Sequence, residues 1–135
     1  MGVELRNIPG RPAPEYFSHV AVARGERVIH LAGQVGTDDR GDMVPGGLGA
    51  QAERALLNIG LALEAAGASP SDLVKLTVYV VDWDPAKFEE LGGGLLAARA
   101  SGSWTDVPVT LVGVQALFTP EMLVEIEGVA VAADA

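Results

Sequence analysis

Two stretches with the hydrophobic period of an α-helix lie between runs with the character of β-strands, and this alternation restricts the folds open to the chain. Between Ala50 and Ala66, the residues Ala52, Ala55, Leu56, Ile59, Leu63 and Ala66 recur at steps of three and four, so they share one helical face. Leu57 and Leu61 widen the apolar stripe, and Gly67 supplies the stop that glycine gives at helix C-termini. In the second stretch Phe88, Leu91, Leu95 and Ala98 share a face, behind Asp84 as N-cap and Pro85 at the first helical position. Gly92-Gly93-Gly94 weakens that helix by about 1 kcal/mol per glycine relative to alanine. The same glycines let another backbone come close.

Around these helices the chain reads as strands. Leu73 to Val81 is rich in β-branched and aromatic residues, and Val107–Val114 and Leu123–Val131 follow, separated by a connection at Thr119-Pro120. Upstream, Phe17–Ala23 and Val28–Ala32 flank Arg24-Gly25-Glu26-Arg27, which predicts a β-hairpin. Residues 1–16, punctuated by Pro9-Gly10 and Pro12-Ala13-Pro14, read as an irregular arm, and the glycine-rich stretch Gly36–Gly49 as a loop. The predicted order is ββαβαββ. It implies an α+β fold, a mixed α/β layer with both helices on one face of a sheet. With 135 residues the expectation is a single domain over 1–135, burying roughly 68% of its unfolded surface.

Composition adds one constraint and several exclusions. Hydrophobic residues make up 49% and charged residues only 20%, below the usual quarter, which predicts that part of the outer surface meets another subunit rather than water. Nine Lys and Arg scattered against eighteen Asp and Glu give a net charge of −9 and argue against a nucleic-acid partner. With no cysteine, disulfides, thiolate catalysis and cysteine metal sites are excluded, and His19 and His30 alone make no histidine-rich metal site. Glu4 and the lack of an early apolar run predict no secretory signal. The longest charge-free stretch, Val107–Pro120, is too short and polar to span a bilayer. No membrane partner and a cytoplasmic location are expected.

Generic motifs are missing: there is no G-x-G-x-x-G, Walker loop, G-x-S-x-G elbow or H-E-x-x-H, and Gly46-Gly47-Leu48-Gly49 reads as a flexible connection. Glu125 and Glu127 stand out. Two apart on a strand, they leave the same face roughly 6.6 to 6.8 Å apart, with Val124 and Ile126 on the other. Since the helices cover one face, these carboxylates meet either solvent or another subunit, and one shielded among apolar neighbours is suited to proton transfer. His19 reads as structural or solvent-facing and His30 as packed within a strand. Trp83 and Trp104 fall at element ends, where large rings often seal interfaces.

One ordered series of residues goes further. Phe17-Ser18-His19, Ala32-Gly33-Gln34-Val35-Gly36, Gln51 with Asn58-Ile59, Ala65-Ala66-Gly67, Asp72 through Val80, Pro108, and Val124-Glu125-Ile126-Glu127-Gly128-Val129-Ala130-Val131 follow one another at matching separations. From about residue 16 onward the chain resembles the RidA/YjgF family, the reactive intermediate imine/enamine deaminases. The resemblance implies a chorismate-mutase-like fold and a homotrimeric barrel with sheets inward, helices outward and three intersubunit clefts. It implies hydrolysis of small enamines and imines to 2-oxo acids and ammonia, with no metal and no cofactor. Glu125 matches the family's proton-relaying acid, and Phe17 (or Tyr16), Gly33 and Gln34 fall on its substrate-binding segments.

The chain also departs from the family. Where deaminating members clamp the substrate carboxylate with an arginine two residues after the proline, this sequence has Thr110. Ala32 replaces a hydroxyl-bearing residue, Gly92 an asparagine and Val112 a cysteine. A charged hydrogen bond is worth roughly 1.5 to 3 kcal/mol, so without another cation a 2-imino acid binds at least about ten times more weakly. Arg24, Arg27 and Arg99 are the candidate replacements. The resemblance therefore implies an arginine-lacking branch and two readings: a C=N hydrolase of altered activity, or a non-enzymatic trimer that binds a small metabolite. A ribonuclease role, ascribed to some relatives, fits the acidic charge poorly.

Overall fold

Leu73–Val81 lies inside a four-stranded sheet, with the bounds its β-branched residues predict. In chain order the elements are β1 (Gly2–Arg6), β2 (Val20–Arg24), β3 (Arg27–Gln34), α1 (Gly47–Ala65), β4 (Leu73–Val81), α2 (Phe88–Ala100), β5 (Val109–Val114) and β6 (Val124–Ala132). They belong to a computed structural model that describes residues 2–134. The larger sheet has the order β3-β6-β4-β5, antiparallel except for β4 and β5. A parallel pair needs a crossover, and α2 supplies it. Both helices lie on one face: α1 packs on β3 and β6, and α2 packs on α1.

The core forms between those helices and the sheet. Leu56, Ile59 and Leu63 of α1 meet Leu76, Val78 and Val80 of β4 and Val124, Ile126 and Ala130 of β6, all essentially inaccessible. Trp104 is buried with them, its Nε1 donating to the carbonyl of Leu95 at 2.8 Å, so it belongs to the core and not to an interface. Helix α1 ends as Gly67 predicts: Gly67 has φ +72°, and Arg27 donates to the carbonyls of Ala66 and Gly67 beyond the last turn. Asp84 caps through its side chain, accepting from the Ala86 N–H at 2.8 Å, on a short 3-10 turn that leads into α2.

The glycine run in α2 serves close approach at one position. A Cβ on Gly94 would stand 2.2 Å from the carbonyl oxygen of Gly49 in α1, and one on Gly49 would stand 2.8 Å from the carbonyl of Glu90. The two backbones touch because neither residue has a side chain.

Two bulges matter for the outer face. β4 carries one extra residue between Leu73 and Lys75, so Leu73 and Leu76 both point to the core although three residues apart. β3 carries another between Leu31 and Gln34. A bulge re-aims the side chains that follow it. The first directs Lys75, with Thr77 and Tyr79, to the face away from the helices.

Two expectations from sequence are corrected. Residues 1–16 are not wholly irregular, because Gly2–Arg6 pairs antiparallel with β2, from Gly2 opposite Arg24 to Arg6 opposite Val20. That strand is almost entirely exposed, so it lacks the apolar alternation that marks a half-buried strand. The hairpin across Gly25 does not form either: β2 joins β1, and β3 joins β6. Gly25 lacks the positive φ of a two-residue hairpin turn and is pressed against the end of β6, where a Cβ would lie 2.5 Å from the carbonyl oxygen of Ala132. The observed order is thus βββαβαββ.

Candidate functional site

With both helices on one side, the other face of the larger sheet is left open. The strand registers order its side chains in rows. Val112 lies opposite Tyr79 and Tyr79 opposite Glu125; one row on, Thr110 lies opposite Thr77 and Thr77 opposite Glu127. His30 faces Val129 and Val28 faces Val131 in the rows beyond. His30 is exposed here rather than packed, because alternation from the buried Leu31 turns it outward.

The two carboxylates are held differently. Glu127 accepts a short hydrogen bond from the Tyr79 hydroxyl. That bond pushes the Tyr79 phenol above its ordinary value near 10, and burial and the charges of Glu127 and Glu125 add to the rise. Glu125 accepts no hydrogen bond from the described residues. Its half-buried side chain lies against Gly33 at the β3 bulge, where a Cβ would stand 1.8 Å from Oε2 and 2.6 Å from Cδ. Gln34 follows on the same strand and donates to the Ala32 carbonyl at 3.2 Å.

On β5 the Thr110 hydroxyl is exposed and accepts a hydrogen bond from Nζ of Lys75. The three arginines suggested as replacements are placed elsewhere. Arg27 is spent on the carbonyls of Ala66, Gly67 and Ala133, and Arg99 pairs with Asp106, whereas Arg24 ends β2 in the smaller sheet. Reasoning from sequence misses Lys75 and Tyr79. A signal for them exists: Lys75, Thr77 and Tyr79 alternate with Leu76, Val78 and Val80, the same pattern that exposes Glu125 and Glu127.

Phe17 and Gly92 lie apart from this face. Gly92 sits on α2 beneath Tyr16, where a Cβ would stand 3.1 Å from the Tyr16 hydroxyl. Tyr16 packs edge-on against Phe88 at 5.0 Å, and both line, with Phe17, Leu91, Trp104 and Leu111, an apolar cavity of about 150 Å³ on the helix side of the sheet. His19 is structural, its Nδ1 accepting from the Ile8 N–H at 2.9 Å and so tying the N-terminal segment down. Among the described residues no group of three His, Asp or Glu side chains is arranged to hold a metal ion, and no helix is long and apolar enough to cross a membrane.

One relation governs what this arrangement can do. β3 and β5 are the two edges of the sheet, three strand spacings or about 14 Å apart. Glu125 leans toward the first edge, while Thr110 and Val112 stand on the second. A small molecule cannot touch both sets within one chain.

Known proteins share this construction. The family described as Endoribonuclease L-PSP matches residues 10–132. Among curated proteins, the 2-iminobutanoate/2-iminopropanoate deaminase of Bos taurus is 45% identical over 58 residues, 42% of this chain and 42% of its own length. The protein of the same name from Homo sapiens is 41% identical over 81 residues, covering 59% of this chain and 56% of its own. The chain thus spans about half the length of the curated relatives it matches. Among solved structures, YyfB of Yersinia pestis, a Rid-family protein of unknown function, has a TM-score of 0.84 at 35% identity, covering 97% of this chain and 99% of that one. The YjgF gene product of E. coli has a TM-score of 0.68 at 26% identity, covering 95% and 98%. With the family matched from residue 10 to residue 132 and the same fold in its solved members, the chain belongs to the Endoribonuclease L-PSP family, that of the RidA and YjgF proteins.

Proposed function

We propose that this chain is a single-domain, cytoplasmic hydrolase of small imines and enamines that works as a homotrimer, without metal or cofactor, in clefts between subunits. The observation that carries the reading is the Glu125 carboxylate, seated against Gly33 with no hydrogen bond from the described residues, while Glu127 beside it is engaged by Tyr79. One carboxylate is free to handle protons and the other is not. Relatives named imine deaminases support the reaction class.

The trimer follows from two features. The open face presents Val28, Val112, Val129 and Val131 to solvent in a lone chain, and Phe118 on the β5–β6 connection is 92% exposed. Apolar surface of this kind marks an interface. In addition, the Glu125 edge and the Thr110 edge can meet the same small molecule only if they come from different copies. Phe17 and Gly92, remote from the open face of their own chain, line the cleft if a neighbouring copy presents them.

In the cleft, an enamine first tautomerises to its imine. Glu125 takes a proton from water as the water oxygen bonds to the C=N carbon, and the imine nitrogen is protonated. Glu125 then returns its proton to nitrogen. The C–N bond breaks with its electron pair leaving on ammonia, and the remaining hydroxyl loses its proton as the carbonyl forms. The products are a 2-oxo compound and ammonia.

The test generates 2-imino acids with an amino-acid oxidase in the presence of semicarbazide, which traps them. The wild-type protein should divert imine from the trap to keto acid, and Glu125→Gln should not. A wild-type protein that diverts none removes the hydrolase reading. The uncharged Thr110 at the arginine position favours a second reading, a trimer that binds a metabolite without turnover. Activity that is missing from wild type but appears in Thr110→Arg would select it.

A further inference from the structure

Of the nine Lys and Arg residues, Lys75 is the one directed to the open face of the larger sheet, by the bulge that precedes it. Other basic side chains with assigned partners are neutralised or used up. Arg6 meets Glu4, Arg54 meets Asp39, Arg99 meets Asp106, and Arg27 and Lys87 serve backbone carbonyls. Lys75 instead donates to a neutral hydroxyl, that of Thr110. Its charge is therefore uncompensated by that contact, in a chain of net −9 where no general field attracts anions.

We propose that Lys75, with Thr110, is the anion-recognition group of the cleft, so that the molecules taken there carry a carboxylate. The ammonium has three donors and Thr110 uses one, which leaves two for a carboxylate oxygen. The Thr110 hydroxyl accepts from Lys75 and keeps its own proton to donate to the second oxygen. Lysine is a point charge on a flexible stem rather than a planar fork, so it fixes the anion's position but not its orientation. Thr110 restores part of the orientation. The substrate class of the proposed hydrolase thereby narrows to imines of 2-oxo acids rather than uncharged imines, and in this respect the inference rests on the intersubunit cleft.

Two measurements test it. Calorimetric titration with 2-oxobutanoate, a 2-oxo acid of the product class, should show binding to wild type and to Glu125→Gln. Lys75→Met should weaken that binding by about 10- to 100-fold, the worth of a charged hydrogen bond, and Lys75→Arg should retain it. In the trapping assay, Lys75→Met should raise KM for 2-iminobutanoate more than it lowers kcat, and should lose more on that substrate than on an uncharged imine. Circular dichroism and sedimentation check that each variant folds and assembles as wild type does. Binding by wild type through Lys75 without any hydrolysis keeps the anion site and removes the hydrolase reading. Hydrolysis with unchanged KM in Lys75→Met keeps the hydrolase and removes the anion site. Failure of wild type to bind 2-oxobutanoate overturns the proposal outright.

Discussion

A Cβ added to Gly33 would stand 1.8 Å from Oε2 of Glu125, so the carboxylate occupies the space a side chain at position 33 would need. The obstructed group is the far end of a flexible side chain, not backbone. Relief is therefore cheap for the fold and costly for the site. Gly33→Ala should change stability by about 1 kcal/mol or less, since Glu125 swings aside into open space. Imine hydrolysis should fall at least about tenfold, because a displaced carboxylate no longer meets the attacking water. Thermal unfolding read beside the trapping assay checks the pair of outcomes, and a large loss of stability with activity intact would contradict it.

The glycines of α2 separate in the same way. Gly93 faces solvent, with no atom within 4 Å of the place a methyl group would take, so Gly93→Ala should stabilise the protein by about 1 kcal/mol through helix propensity alone. A methyl group on Gly94 would stand 2.2 Å from the Gly49 carbonyl oxygen, and there the obstacle is backbone. Gly94→Ala must part the helices and should cost about 1–3 kcal/mol. Chemical denaturation of both variants measures the difference; opposite signs are expected for neighbours of identical chemistry.

These contrasts show how far sequence reasoning reaches. The bounds of β4, the caps at Gly67 and Asp84 and the shared face of Glu125 and Glu127 follow from local period and turn chemistry, and all are observed. Strand partners are not local information: Arg24-Gly25-Glu26-Arg27 has the composition of a hairpin turn, yet β3 pairs with β6 at the far end of the chain. Exposed Gly2–Arg6 buries too little to show a period. Lys75 is hidden for a related reason. Counted from Leu73, regular alternation puts it on the core side, and the extra residue at the bulge reverses that. The seating of Glu125 on Gly33 joins residues far apart in sequence, and no spacing rule reports it.

The Tyr79–Glu127 pair gives a pH signature. The phenol donates to the carboxylate, which favours neutral tyrosine, so its folded-state pKa lies above the unfolded value near 10. A group raised in this way adds stability that is fully present below pH 10 and lost as pH rises through the folded value. With Tyr16→Phe leaving Tyr79 as the sole tyrosine, ultraviolet titration should find it ionising above pH 10, and Glu127→Ala should bring it back down. In stability, the advantage of Tyr79 over Tyr79→Phe should disappear at strongly alkaline pH. An unmoved titration in Glu127→Ala would assign the rise to burial instead.

If each cleft takes Lys75 from one copy and Glu125 from the next, two inactive variants should rescue each other. Lys75→Met lacks the anion group beside its β5 edge but keeps an intact Glu125, and Glu125→Gln has the reverse defect. Within one chain the two edges are about 14 Å apart, so neither variant can repair its own site. After mixing under conditions that let trimers exchange subunits, a cleft is intact when a Glu125→Gln copy supplies Lys75 and a Lys75→Met copy supplies Glu125. Random exchange of equal amounts makes about a quarter of the clefts intact, as head-to-tail contacts in a closed ring require. Activity should therefore rise from near zero in either parent to about a quarter of wild type. A site built within a single chain gives no rescue at any ratio, because every chain in the mixture carries a defect.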